Sequence, residues 1–267
     1  MKDECSNKIS LINLPDIPDS VDNAMDNILG RPTQNIGQTL GDIWFLVFGG
    51  ITQAADKRRL KYSSDLERYQ QELSESINKI PIEKQIEPSI QVTAQALENS
   101  KYCISSETLR NMFVKLISGT MNKDLEPLVH PSFPEMIKQM DEIDARLLME
   151  LKRKSHTQPI AEFQEEFTDN NTKIPHFTNA YISDIFNISL PDCSCSLSSL
   201  ERMGLISISY DSHLANESFY EAFYQTSIFQ NISKEISNYK RNSQIKLQKG
   251  VISVTPLGER FMLLCVA

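Results

Sequence analysis

From residue 36 to residue 80 apolar side chains recur at intervals of three and four. They are Ile36, Leu40, Ile43 and Trp44, Val47, Ile51, Ala54 and Ala55, then Tyr62, Leu66, Tyr69, Leu73, Ile77 and Ile80. That spacing sets them on one stripe of a helix. Unbroken, the helix spans about 45 residues, on the order of 65 Å, and it needs other helices to cover it. The same period predicts four more helices. One opens at Glu87-Pro88 and covers 88–99, with Ile90, Ala94 and Leu97 inward. The next follows a Ser105 N-cap and turns Leu109, Met112, Phe113, Leu116 and Ile117 inward. A third covers 133–140, where Ser132 and Glu135 have capping-box spacing. A fourth covers 142–154, with Ile143, Leu147, Leu148 and Leu151 inward.

Past residue 155 the pattern changes. Gly204 stops a helix over 191–203, and the strand-like LISIS (205–209) follows. GVISV (250–254) reads as a second strand, and Thr255 caps a last helix from Leu257 to Cys265. The expected fold class is mainly α, a long-helix N-terminal helical domain followed by a winged-helix-like α+β C-terminal domain. The expected divisions are a flexible leader at 1–35, a helical domain at 36–133, and a winged-helix-like domain at 134–267 with a helical insert at about 211–249. In the insert, Phe219, Tyr220, Phe223, Tyr224 and Phe229 fit a helix near 216–230 that packs on the module.

Composition narrows the class. The chain has 267 residues, with 40% hydrophobic and 23% charged, which suits a folded protein with a real core. A net charge of −8 works against undirected attraction to nucleic acid. Five scattered cysteines, Cys5, Cys103, Cys193, Cys195 and Cys265, give no disulfide framework. The start MKDECSNK lacks the basic and apolar segments of a signal peptide. The run IWFLVFGGI at 43–51 is about half of what a bilayer-spanning helix needs. A cytoplasmic protein with reduced thiols is the expectation.

Two stretches stand out as candidate contact or structural sites. Phe45 and Leu46 lie off the main stripe, so 43–48 is apolar nearly all round, and Lys57, Arg58, Arg59 and Lys61 follow. Trp44, Phe45, Leu46, Phe48 and these four cations make a candidate interaction surface, either a core packed on two sides or a face for a protein or membrane. The second stretch is His130, Pro131, Ser132 and Phe133. With no Cys or second His nearby, a structural hydrogen bond suits His130 better than a metal or catalytic role. Cys193 and Cys195 with His176 and His213 make a weak zinc pattern. No P-loop, dinucleotide turn, HExxH or GxSxG occurs, and no catalytic residue, cofactor or small-molecule substrate is implied.

The segments GDIWFLVFGGI (41–51), KIPIEKQIEPSIQVTAQALENSKY (79–102), LRNMFVKLISGTMN (109–122), VHPSF (129–133), IKQMDEIDARLL (137–148) and TPLGERFMLLCV (255–266) together resemble the Abi-alpha family of bacterial proteins. The resemblance is firm over 40–150 and weak in 155–190 and 211–249. It implies a cytosolic protein of abortive infection, a phage defence in which the infected cell stops growing. It implies no mechanism and no catalytic residues, and leaves Trp44, His130, Pro131 and Phe133 as scaffold positions. The expected function is therefore non-enzymatic defence through a protein partner or a homo-oligomer. Two alternatives stand beside it. One is a winged-helix DNA-binding regulator with Lys234, Lys240, Arg241, Lys246 and Lys249 as a basic wing; the other is a membrane-surface effector acting through 43–61.

Overall fold

Leu40, Ile43, Trp44, Val47 and Phe48 lie buried along the helix Gln34–Phe48 (α1), and Tyr69, Leu73 and Ile77 along the helix Lys57–Asn78 (α2). These stripes follow the three-and-four spacing. The computed structural model describes residues 34–49, 57–239 and 242–266. The expected unbroken helix crosses 50–56, which lie outside the described residues, as do Ile51, Ala54, Ala55 and the leader up to residue 33.

The centre of the helical half is a later element. Helices α3 (Ile90–Ser100), α4 (Glu107–Thr120), α5 (Phe133–Gln139) and α6 (Glu142–Arg153) follow α2. Against α4 pack α2, α3, α5, α6 and the last helix, Pro256–Cys265. Helix α4 therefore buries polar residues along with Leu109, Met112, Phe113, Leu116 and Ile117, and each of them has a partner. The Arg110 guanidinium donates to both Glu72 carboxylate oxygens, at 2.8 and 2.9 Å, and to the Ile104 carbonyl at 2.8 Å. Such a fork is stronger than a single neutral hydrogen bond. Thr120 pairs with Thr93 at 3.1 Å, and Ser76 donates to Ser118 at 2.9 Å.

Three local expectations are corrected. Ser106, not Ser105, caps α4, its hydroxyl accepting from the Leu109 N–H. Ser132 and Glu135 form no capping box, because the Ser132 hydroxyl turns to His130 and Glu135 receives hydrogen bonds from Asn99, Lys138 and Gln139. Ile90 is exposed, since the helix begins there and buries Val92, Thr93, Ala96 and Leu97 instead. The capping box lies one helix on, where Asp141 and Asp144 exchange hydrogen bonds with each other's N–H at the start of α6.

The C-terminal half holds four strands where the sequence suggested two. They are β1 (Thr157–Phe167), β2 (Lys173–Ala180), β3 (Ile206–Ser209) and β4 (Ser243–Val254), in one antiparallel sheet of order β2-β1-β4-β3. Helix α7 (Leu190–Arg202) precedes β3 and ends at Gly204, whose φ of +73° a side chain would disfavour. The expected strand at 250–254 is the end of the longer β4, so the insert is helical over only part of its length. That part is a 3-10 turn at Glu217–Tyr220, then α8 (Glu221–Tyr224) and α9 (Ser227–Asn238). Thr255 caps the final helix α10 (Pro256–Cys265), as expected.

Alternation along β1 sends Ile160 to one side and Ala161 and Phe163 to the other. Ile160 joins a core whose buried members run from Leu40 to Val266, through α1 to α7 and α10. Ala161 and Phe163 face a second cluster with Tyr220, Phe223 and Phe229 of the insert. The free strand edges are partly occupied. The Ile208 N–H donates to the Glu201 carboxylate at 2.9 Å, and the Ser194 hydroxyl to the Thr178 carbonyl at 2.8 Å.

Candidate functional site

The aromatic, apolar turn at 43–48 is mostly core. Trp44 and Phe48 are buried and stack around Tyr69, with Trp44 to Tyr69 centroids 5.5 Å apart. Phe45 is half-buried, and Leu46 alone points outward, 82% exposed. Lys61 is exposed, while the side chains of Lys57, Arg58 and Arg59 lie outside the described residues. Of the proposed surface, Leu46, Lys61 and part of Phe45 are the described members that reach solvent.

The His130 to Phe133 segment is a joint between elements. The His130 Nδ1 accepts from the Ser132 N–H at 3.2 Å and lies 2.7 Å from the Ser132 hydroxyl. An N–H donating to Nδ1 leaves the ring proton on Nε2. Phe133 is fully buried and Pro131 exposed. The suggested zinc residues stand apart. Cys193 is buried, with burial pushing its thiol up to about 11, Cys195 is exposed, and His176 pairs with Glu165 at 3.0 Å. Among the described residues no group of three or more His, Cys, Asp or Glu is placed to hold a metal.

The arrangement that does bring polar and apolar groups together lies where the helical half meets the sheet. A cavity of about 370 Å³ opens between Lys154, Ser155, Thr157 and Pro159 at the start of β1, Tyr181 and Ile182 just after β2, and Leu214, Phe219, Ala222 and Phe223 of the insert. Its position follows from the fold. Helix α6 delivers Lys154 to the mouth of the sheet, and the insert folds over the same end because Tyr220 and Phe223 are buried there.

Behind Lys154 and Tyr181 stands a buried carboxylate. Glu150, a turn before Lys154 on α6, receives hydrogen bonds from Lys154 (2.6 Å), Tyr181 (2.9 Å), Ser183 (2.5 Å) and the Asp184 N–H (3.2 Å). Burial raises its proton affinity, but those four donors outweigh burial and hold it below the usual carboxylate range. Burial likewise lowers Lys154, yet its bonds to Glu150 and Asp184 leave it above the ordinary lysine value. The Tyr181 phenol is raised by burial and by Glu150, so it stays a hydrogen-bond donor. The result is a fixed ionic floor under an apolar mouth. Ile182 and Phe219 stand exposed at its rim.

Sequence reasoning missed this floor. Its one legible sign was Glu150 beside the apolar stripe of Leu147, Leu148 and Leu151, where a charge is costly unless paired.

Residues 61–265 match a family model described as abortive infection alpha. Comparison with curated proteins and with solved structures gave no match. The matched span starts after the 41–51 segment and takes in α4, the His130 joint, the ionic floor, the whole sheet and α10. By sequence, this chain belongs to the abortive infection alpha family.

Proposed function

We propose that this chain serves abortive infection in the cytoplasm by gripping an apolar segment of a protein partner in the cleft over Glu150 and Lys154, without catalysis. The observation that supports this reading is the mismatch between floor and walls. The charged groups at the base are engaged with one another, so neither a free base nor an activated nucleophile faces the opening. The walls offer Pro159, Ile182, Leu214, Phe219 and Phe223, an apolar surface that suits a side chain from another molecule. No helix among the described residues is long and apolar enough to cross a membrane.

The test is phage plating on cells expressing the chain with Ala222→Arg, which fills the cleft from an exposed position. Protection should fall to the level of cells lacking the protein while its melting temperature is kept. Undiminished protection would remove the cleft from the mechanism.

One observation favours a second reading, a winged-helix module that contacts nucleic acid. Strand β1, laid down before α7, pairs with β4, which pairs with β3, so that the hairpin following a helix is completed by an earlier strand. The charges argue against it. Lys246 is ion-paired with Glu166, Lys249 with Glu217, and Arg202 donates to Gln139. Duplex binding that weakens with salt in a gel shift would favour this second reading.

A further inference from the structure

Strand β2 stops covering β1 before β1 ends. The register between β1 and β4 is unbroken, with the Val254 N–H donating to the His156 carbonyl at 3.1 Å and the Thr168 N–H to the Asn242 carbonyl at 2.9 Å. Even-numbered residues of β1 therefore turn their backbone groups to β4, and odd-numbered ones turn theirs to the β2 side. Ala161, Phe163 and Glu165 meet β2 there, but the pairing ends where Ala161 faces Ala180. Had β2 run on in that register, Ile182 and Asp184 would stand opposite Pro159 and Thr157. Instead the Tyr181 and Ser183 hydroxyls and the Asp184 N–H are drawn to Glu150 on α6. The space given up is the cleft, whose lining includes Thr157, Gln158, Pro159, Tyr181 and Ile182.

The Thr157 N–H and the Pro159 carbonyl thus point into the cleft. The Thr157 carbonyl points there too, and accepts from the Ser155 hydroxyl at 2.7 Å and the Gln158 amide at 3.0 Å. Pro159 has no N–H to offer. Side chains at odd positions of β1 face the insert, as Ala161 and Phe163 do, so Leu214, Phe219 and Phe223 wall the cleft on that face of the sheet.

We infer that the open end of β1 takes an extended segment of a protein partner as an added strand, an inference that rests on the cleft being a partner site. The segment continues the ladder that β2 leaves. It accepts from the Thr157 N–H and donates an N–H to the Pro159 carbonyl, and every second side chain lies against the Phe219 and Phe223 rings. A helix suits the place less. One turn, about 10 Å across and 5.4 Å high, outgrows a space of about 370 Å³ and leaves both backbone groups unmatched. The missing N–H of Pro159 and the covered Thr157 carbonyl blunt this edge against chance pairing. Selection therefore falls to the apolar wall, which favours a segment with apolar residues at alternate positions.

Hydrogen exchange on the intact protein reads the edge itself. The Gln158 and Ile160 amides, turned to β4, should exchange about tenfold or more slower than the Thr157 amide; equal protection at Thr157 would overturn the inference. Thr157→Pro removes the open donor and spares the pairing with β4, as Pro159 already does two residues on. Phage protection should then fall to the level of cells lacking the protein at an unchanged melting temperature, while Thr157→Val, which keeps the N–H, protects fully. Loss of protection in Ala222→Arg but not in Thr157→Pro would overturn strand addition and leave the proposed function standing. Protection kept by both variants would remove the cleft and the added strand together.

Discussion

Phe133 meets Phe261 edge to face, with 5.1 Å between ring centroids. The contact joins the VHPSF segment to the TPLGERF segment, so two of the segments that carry the sequence resemblance touch each other in the core. It fixes the reach of α10 across the helical half, helped by Arg260, which donates to the Pro127 carbonyl. Phe261→Ala should cost about 3–5 kcal/mol in urea unfolding. A double-mutant cycle with Phe133→Ala should show about 0.5–1.5 kcal/mol of coupling. Additive losses would show that the rings pack independently.

Trp44 and Leu46 are two residues apart and face opposite environments. Trp44→Asp places a charge in the Trp44–Phe48–Tyr69 stack and should unfold that corner of the protein. Leu46→Asp should leave the melting temperature unchanged. Loss of liposome or partner binding in Leu46→Asp, with the fold intact, is the readout that isolates a surface role for this turn.

The Tyr69 hydroxyl is buried without a well-formed hydrogen bond among the described residues, since the nearby Ser100 hydroxyl donates to the Leu97 carbonyl, and burial raises its proton affinity. Tyr69→Phe removes a desolvated polar group, so stability should hold or rise by up to about 1 kcal/mol. A loss above about 1.5 kcal/mol would mean the hydroxyl is bonded in solution.

Glu150 links stability to pH. Its proton affinity in the folded state is below the unfolded value, so its contribution is complete above the usual carboxylate range and is lost as pH falls through the folded value. Lys154 works in the opposite sense, contributing below the usual lysine range and failing as pH rises through its raised folded value. Glu150→Gln should cost about 1–3 kcal/mol at neutral pH and flatten the acid limb of a urea-unfolding profile. An unchanged acid limb would place the acid sensitivity elsewhere.

The helical half was legible because α4 and α6 carry their apolar residues at a helix period and start at capping residues. Legibility failed in β1 and β2 for a physical reason. Pro159 and Pro175, with Glu162, Glu165 and Glu166, make those stretches read as loop. Pro159 is tolerated because β2 pairs with β1 only from Ala161 onward, leaving an open side where a missing N–H costs little. Pro175 sits on the edge strand. The buried Glu165 is satisfied by His176 from β2 and Ser243 from β4, partners that no local pattern announces. The candidate site was hidden for the same kind of reason. Glu150 and Lys154 are one helical turn apart, but Tyr181 and Ser183 reach them only once β1 and β2 have formed.

Gly119 lies against Leu264 so closely that a Cβ would collide with it, and the final helix fills the groove beside α4. Helix α10 is therefore a wall of a core that helices far before it in the chain begin. The helical half cannot close until α10 has been made, and a nascent chain stalled short of α10 would expose the face of α4 that carries Gly119 to whatever chaperone or protease meets it.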